Sequence, residues 1–175
     1  RDELHIIEID PSPDGSLYAV DMTKGLLKID VNINSGYSWK RIPGISEPFN
    51  NSRTTIKKYG DRFFALSATN AERNYYISEI VRDSVFLIKK IDANSLAEFI
   101  YSLTCINNKF WLGTSSGAYC MNAKGEIENH FFQTEKISDI MMDREGNYWF
   151  SSLQNGIFII PDLDIERITT ANFAS

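Results

Sequence analysis

Gly15-Ser-Leu-Tyr-Ala-Val-Asp-Met-Thr-Lys-Gly-Leu-Leu-Lys-Ile29 and Gly146-Asn-Tyr-Trp-Phe-Ser-Ser-Leu-Gln-Asn-Gly-Ile-Phe-Ile-Ile160 align without a gap over fifteen residues. Each window sets two glycines ten apart, an aromatic three residues after the first (Tyr18, Trp149), and an apolar strand after the second. A third copy, Asn108 to Met121, repeats the pattern with a loop one residue shorter, so Trp111 stands six residues before Gly117 instead of seven. A fourth and weaker copy runs from Gly60 to Ser67 with Phe64 as its anchor. The anchors Tyr18, Phe64, Trp111 and Trp149 are 46, 47 and 38 residues apart.

Short apolar runs recurring every 40 to 47 residues or so fit one blade of a four-stranded propeller, each blade an antiparallel meander. Gly15 and Gly146 close tight hairpins after Asp14 and Glu145, where a positive φ costs glycine little, while Gly25, Gly117 and Gly156 open the following strand. The fold class expected is therefore all-β: a single partial β-propeller over 1–175, with about four four-stranded antiparallel blades near 4–41, 53–91, 101–132 and 137–169. The expected first strand is Leu4 to Ile9, and the outer strand of the fourth blade is placed near Ile165 to Thr169. Enrichment in Val, Ile, Tyr, Phe and Thr supports strands throughout. Ser95-Leu-Ala-Glu98 has capping-box spacing and marks either a turn of helix or an irregular connection. The four anchors occupy equivalent places in successive copies, which blade packing needs and a single binding site does not. They are assigned to the core.

Phe110-Trp-Leu-Gly-Thr-Ser-Ser-Gly117 and Asp143-Arg-Glu-Gly-Asn-Tyr-Trp-Phe-Ser-Ser152, with Gly156 beginning the next strand, resemble the two-component regulator propeller repeat. The resemblance covers the third and fourth blades best, the first fairly and the second faintly. In the first, Tyr18 replaces tryptophan and Ala19-Val20-Asp21 replaces the Gly-Thr segment; the second lacks the later glycine. It implies the extracytoplasmic sensor region of a bacterial histidine kinase, including hybrid kinases that respond to polysaccharide breakdown products. Periplasmic or extracytoplasmic location, many more blades, and a membrane segment and kinase elsewhere in the parent protein follow from the resemblance alone.

Composition narrows the alternatives. The chain has 175 residues, 43% of them hydrophobic, and a formal charge of −5, which gives it a core but not the positive field nucleic acid requires. No nucleic-acid partner is expected. No run approaches the roughly 20 apolar residues of a membrane span, and Arg1 to Asp10 carries no basic-then-apolar signal pattern, so the piece reads as soluble, touching a membrane only through parent regions. Two cysteines, Cys105 and Cys120, and two histidines, His5 and His130, are too scattered for a zinc site. The cysteines fall on strands separated by a third, roughly 10 Å apart, and are expected to be free, buried thiols. His130 is read as a partly exposed strand residue. No cofactor and no metal are expected.

Catalytic patterns are missing too: no phosphate loop opens a helix, no nucleophile elbow occurs, and no histidine is placed as base for a serine. Asp10, Asp14, Asp143 and Glu145 lie at hairpin turns, where carboxylates cap backbone amides. The region is read as non-enzymatic. The alternatives are a propeller enzyme, such as a polysaccharide lyase or lactonase, and a scaffolding propeller. A ligand would meet the inner strands or the loops at one ring end: Asp21 to Lys24, Ala68 to Asn74, Thr114 to Ser116 and Leu153 to Asn155, with the connections Pro43 to Asn51 and Ala93 to Glu98. Lys24, Arg73, Asn74, Gln154 and Asn155 supply hydrogen bonds there and Tyr75 a stacking ring for an oligosaccharide or acidic ligand. Finally, an unclosed array exposes two apolar blade faces. If each were on the order of 500 Å², covering it would contribute about 12 kcal/mol gross at roughly 25 cal/mol per Å². Ring closure, further blades or pairing with a second copy is expected, and pairing is preferred over a four-bladed ring.

Overall fold

A computed structural model describes residues 3–43, 53–69, 74–92, 94–97 and 99–161. Fifteen strands form four antiparallel sheets, and no helix occurs among the described residues. The first sheet is β1 (Ile6–Pro11), β2 (Leu17–Asp21), β3 (Gly25–Asn32) and β4 (Gly36–Arg41). The second is β5 (Arg53–Tyr59), β6 (Arg62–Thr69), β7 (Asn74–Val81) and β8 (Ser84–Asp92). The third is β9 (Ile100–Ile106), β10 (Lys109–Thr114), β11 (Gly117–Met121) and β12 (Ile127–Phe131). The fourth has β13 (Ile137–Met142), β14 (Tyr148–Ser152) and β15 (Gly156–Ile160); the outer strand expected at Ile165 to Thr169 lies outside the described residues. Strands follow one another in each sheet in chain order, as a meander requires. The first strand begins two residues later than the sequence suggests.

Each sheet is joined to the next through its second strand. Side chains alternate faces along a strand, so two adjacent large residues point in opposite directions. The pairs Phe63-Phe64 and Phe110-Trp111 do this. Tyr18 of the first sheet meets Phe63 edge-on at 4.8 Å, while Phe64 turns the other way to meet Phe110 at 5.0 Å. Trp111 then faces the fourth sheet, 5.1 Å from Tyr148 and 5.8 Å from Phe150. Three apolar layers result. Tyr18, Val20, Leu26, Ile56 and Phe63 lie between the first and second sheets, and Phe64, Leu66, Leu103, Phe110 and Leu112 between the second and third. Trp111, Cys120, Ile137, Ile140 and Phe150 lie between the third and fourth.

The core assignment holds for Tyr18, Phe64 and Trp111, each buried, but not for Trp149, which is only half-buried. Trp149 repeats the orientation of Trp111 on the last described sheet. Its strand neighbours in register, Met141 and Ile159, are exposed, as is Ile157. Its indole Nε1 donates to Asp143 Oδ2 at 2.7 Å, whereas the Trp111 indole N–H is buried without a partner. The difference lies in the turn before the anchor. Asp143 opens a longer turn and caps the Glu145 and Asn147 amides, while Asn107-Asn108 makes a two-residue hairpin with no carboxylate to offer.

That longer turn recurs at Ser12–Ser16, Asn122–Glu126 and Asp143–Asn147, closed each time by the same pair of backbone hydrogen bonds. Gly113, within the Trp-Leu-Gly-Thr segment, has a different task. A Cβ there would lie 2.6 Å from the Ile137 carbonyl oxygen, so only glycine lets β13 approach β10. Segment 94–97 is a turn, and Asp92 holds it: the Asp92 carboxylate accepts from the Asn94 amide and its carbonyl from the Ser95 amide. The helical option at Ser95 is not taken.

Both cysteines are free, as expected. Cys120 is buried, and desolvation pushes its thiol up to about 11. Cys105 is only half-buried, because it lies beside the partly exposed inner edge of its sheet. Replacing Trp111 by alanine is expected to lower stability by about 3–5 kcal/mol, and the same change at Trp149 by about half that or less. Urea unfolding of the two variants beside the parent chain measures the difference, and equal losses would contradict the stacking direction described.

Candidate functional site

Turns alternate between the two ends of a meander, which sorts the polar residues into two groups. One end carries the β2–β3, β6–β7, β10–β11 and β14–β15 connections, where the sequence places the ligand-facing residues. Lys24 is engaged locally: its Nζ donates to the Glu3 carbonyl at 2.7 Å and stands 5.8 Å from the centre of the Trp39 ring. Asn74 is buried at the start of β7. The Tyr75 hydroxyl accepts from the Ile100 amide at 3.1 Å, and its half-buried ring packs on the layer between the second and third sheets. It is a structural link with little face to offer. Asn155 donates through Nδ2 to both oxygens of Glu135, at 3.0 and 2.8 Å, and Gln154 is exposed beside it. Arg73 lies outside the described residues. The fold thus puts Lys24, Asn74, Tyr75, Gln154 and Asn155 at one end, on three different sheets, with most already committed to neighbours.

Phe99 and Tyr101 escape a reading based on polar loop residues. Their rings are near parallel with centroids 6.4 Å apart, and Phe99 is 49% exposed. Fully overlapped rings would sit closer than this, so the two are offset and leave ring face uncovered. Reciprocal hydrogen bonds between Phe99 and Ser115 fix the pair beside the β10–β11 turn, at the same end. Close by, His130 is held by the Ser116 carbonyl at 2.6 Å and stacks on Tyr119 at 3.8 Å, which gives it a packing role. The sequence signal for the pair was two aromatics at i and i+2 entering an inner strand.

The opposite end holds a cavity of 290 Å³ where the first two sheets meet. Tyr18 and Phe63 form its apolar side, and Asp14, Asp61, Arg62, Glu79 and Arg82 its charged side. Arg62 Nε pairs with Glu79 at 2.7 Å. Lys28, 8% exposed in the middle of β3, pairs with Asp14 at 2.5 Å, and Asp83 of the second sheet lies 3.9 Å away. That hydrogen bond from Lys28, aided by Ser16, holds the Asp14 carboxyl far below the ordinary carboxylate range. A lysine between apolar neighbours in β3 could have signalled this charge cluster; its partners, far apart in sequence, could not be read.

The arrangement contains no metal-ligand cluster among the described residues, and no helix there is long and apolar enough to cross a membrane. No family model and no curated protein sequence matches the chain. Solved structures do. The chain has the β-propeller fold. It superposes on the extracellular domain of the putative one component system BT4673 from B. thetaiotaomicron with a TM-score of 0.62 at 18% identity, covering 88% of this chain and 21% of that one. PorZ, a bacterial surface component of the type-IX secretion system of Porphyromonas gingivalis, matches with a TM-score of 0.60 at 13% identity, over 89% of this chain and 25% of PorZ. The dihydro-heme d1 dehydrogenase NirN matches with a TM-score of 0.60 at 12% identity, over 92% of this chain and 36% of NirN. The chain therefore spans about a fifth to a third of the length of these propellers, and shares their fold with sensor, secretion and enzyme proteins alike.

Asp21 at the β2–β3 turn provides a pH test of this end. Burial alone would raise its pKa, but hydrogen bonds from the Thr23 and Lys24 amides, the Thr23 hydroxyl and the His5 amide outweigh it and bring it to about 2. A carboxyl depressed in the folded state stabilises fully above its unfolded value near 4 and loses that contribution as pH falls through about 2. Asp21→Asn is therefore expected to lower the thermal midpoint at pH 7 and to flatten its fall between pH 4 and 2, read by calorimetry across that range.

Proposed function

We propose that this chain is a non-catalytic propeller segment of the extracytoplasmic sensor region of a two-component histidine kinase, acting in ligand sensing and signal transmission. The repeat motif around Trp111 and Trp149 supports the reading, as does the likeness of fold to an extracellular domain described as part of a hybrid two component system, with a TM-score of 0.58 at 16% identity. The observation that carries it is the composition of the β2–β3, β6–β7, β10–β11 and β14–β15 end. Among the described residues, the exposed rings of Phe99 and Tyr101 gather there with the amides of Gln154 and Asn155, and the ionisable groups Asp21, Lys24 and Glu135 are bonded to backbone, hydroxyl or amide groups and not to one another. We assign Lys24, Asn74, Gln154 and Asn155 to ligand contact at this end, with the exposed rings of Phe99 and Tyr101 in the stacking role expected of Tyr75, and an oligosaccharide is the ligand class.

The second part of the proposal concerns partners. Met141, Trp149, Ile157 and Ile159 form the exposed forward face of the last described sheet, equivalent to the face that Trp111 buries against its neighbour. A further blade or the rear face of a second copy would cover it.

Titration calorimetry of the folded chain against a panel of neutral and acidic oligosaccharides tests the sensing role. Saturable heat that weakens in Gln154→Ala and Asn155→Ala is the expected result, and no heat from any member of the panel would restrict the segment to assembly. Sedimentation velocity tests the face: self-association is expected in the 175-residue chain and should be lost in Ile157→Lys. A monomer at all concentrations would leave only a further blade as the occupant.

A further inference from the structure

The cavity between the first and second sheets lies at the end opposite the residues assigned to oligosaccharide contact, and its charges are arranged in a way blade packing does not call for. Of its three carboxylates, Asp14 is taken by Lys28 and Glu79 by Arg62. That leaves two groups with no side-chain partner among the described residues, the Asp61 carboxylate and the Arg82 guanidinium, one of each sign and both exposed at the same cavity. With Lys28 counted against Asp14, the formal charge around the cavity is balanced. A monovalent anion or cation entering it would leave one of the two unpaired; a neutral molecule with separated charges would satisfy both.

Arg82 is also the wrong residue for its backbone. It opens the two-residue β7–β8 hairpin with φ at +55°, in the left-handed region. The hairpins beside it fill such positions with Gly60 and with Asn107 and Asn108, which accept a positive φ at little cost. Arginine does not, and side chains kept in such backbone at a cost to stability concentrate where they contact a ligand. The Tyr18 hydroxyl donates to the Arg82 carbonyl at 2.9 Å across the blade boundary, so the position is held by the neighbouring sheet.

We propose that this cavity binds a small zwitterion, an amino acid or a short peptide with both termini free. The carboxylate pairs with Arg82, the ammonium with Asp61, and an apolar side chain rests on the exposed Pro13 and Val81. A volume of 290 Å³ suits a molecule of one or two residues and excludes a folded partner.

Calorimetric titration of the 175-residue chain with glycyl-tyrosine, its C-terminal amide and its N-acetyl derivative tests the proposal without any variant. The free dipeptide should bind, and each blocked form should bind roughly tenfold or more weakly, the loss expected for one charge-assisted hydrogen bond. In Asp61→Asn the free and acetylated forms should become equivalent. In Arg82→Gly the free and amidated forms should become equivalent, while the thermal midpoint stays level or rises because glycine relieves the left-handed backbone. Absence of binding by the free dipeptide, equal binding by the blocked forms, or a drop in midpoint with binding unchanged in Arg82→Gly would each overturn it. The oligosaccharide reading is tested at the other end with a different probe, so either can fail alone.

Discussion

Face-to-face burial between successive sheets is the constraint on which the rest of the molecule depends. A lone four-stranded meander has two sides and no interior, so none of these sheets could hold its apolar residues out of water by itself. The second strand of each sheet solves this with two adjacent large residues, one facing back and one forward. Phe63 receives Tyr18 while Phe64 reaches Phe110, and Trp111 continues the sequence into Tyr148 and Phe150. Stability is therefore shared between neighbours, and the last described sheet presents the same device half-exposed at Trp149 among the described residues.

Polar contacts between sheets are few and set angle and register where the apolar layers would tolerate sliding. Glu8 accepts from the Ile56 amide at 2.8 Å, and Tyr75 accepts from the Ile100 amide. Burial raises the Glu8 carboxyl even against that hydrogen bond and nearby Lys57. Lys28 bridges the first two sheets with its ammonium near Asp14 and Asp83, and Lys40 reaches Asp83 at 2.7 Å. Such pairs cost desolvation and contribute modestly to stability when partly exposed. Their effect here is geometric: they fix the cleft whose walls carry Arg62, Glu79 and Arg82.

The two ends of the stack consequently differ in kind. One gathers exposed aromatic face and amide groups at Phe99, Tyr101, Gln154 and Asn155; the other gathers paired charges around a small cavity. Among the described residues, neither shows a nucleophile beside a base.

Local pattern in the chain determined the meander, the hairpin ends and the identity of three of the four buried anchors, because strand alternation, turn glycines and a 38 to 47-residue period act over short distances. It also marked Asp143 as a turn cap, which the capped Glu145 and Asn147 amides bear out. Packing between sheets decided everything that depends on which face meets a neighbour. Trp111 and Trp149 are equivalent in sequence, yet one is covered and the other half-open, since among the described residues only the first has a sheet in front of it. Tyr75 reads as a free ring and is instead an interblade link, and Arg82 reads as an ordinary hairpin residue until the adjoining sheet brings Tyr18 against it, at a cavity that Asp61 of its own sheet also lines. A strand specifies its own two faces, but what lies opposite each face belongs to residues of another sheet, from Ile100 against Tyr75 to Arg82 against Tyr18, and their placement exists only once the sheets are stacked.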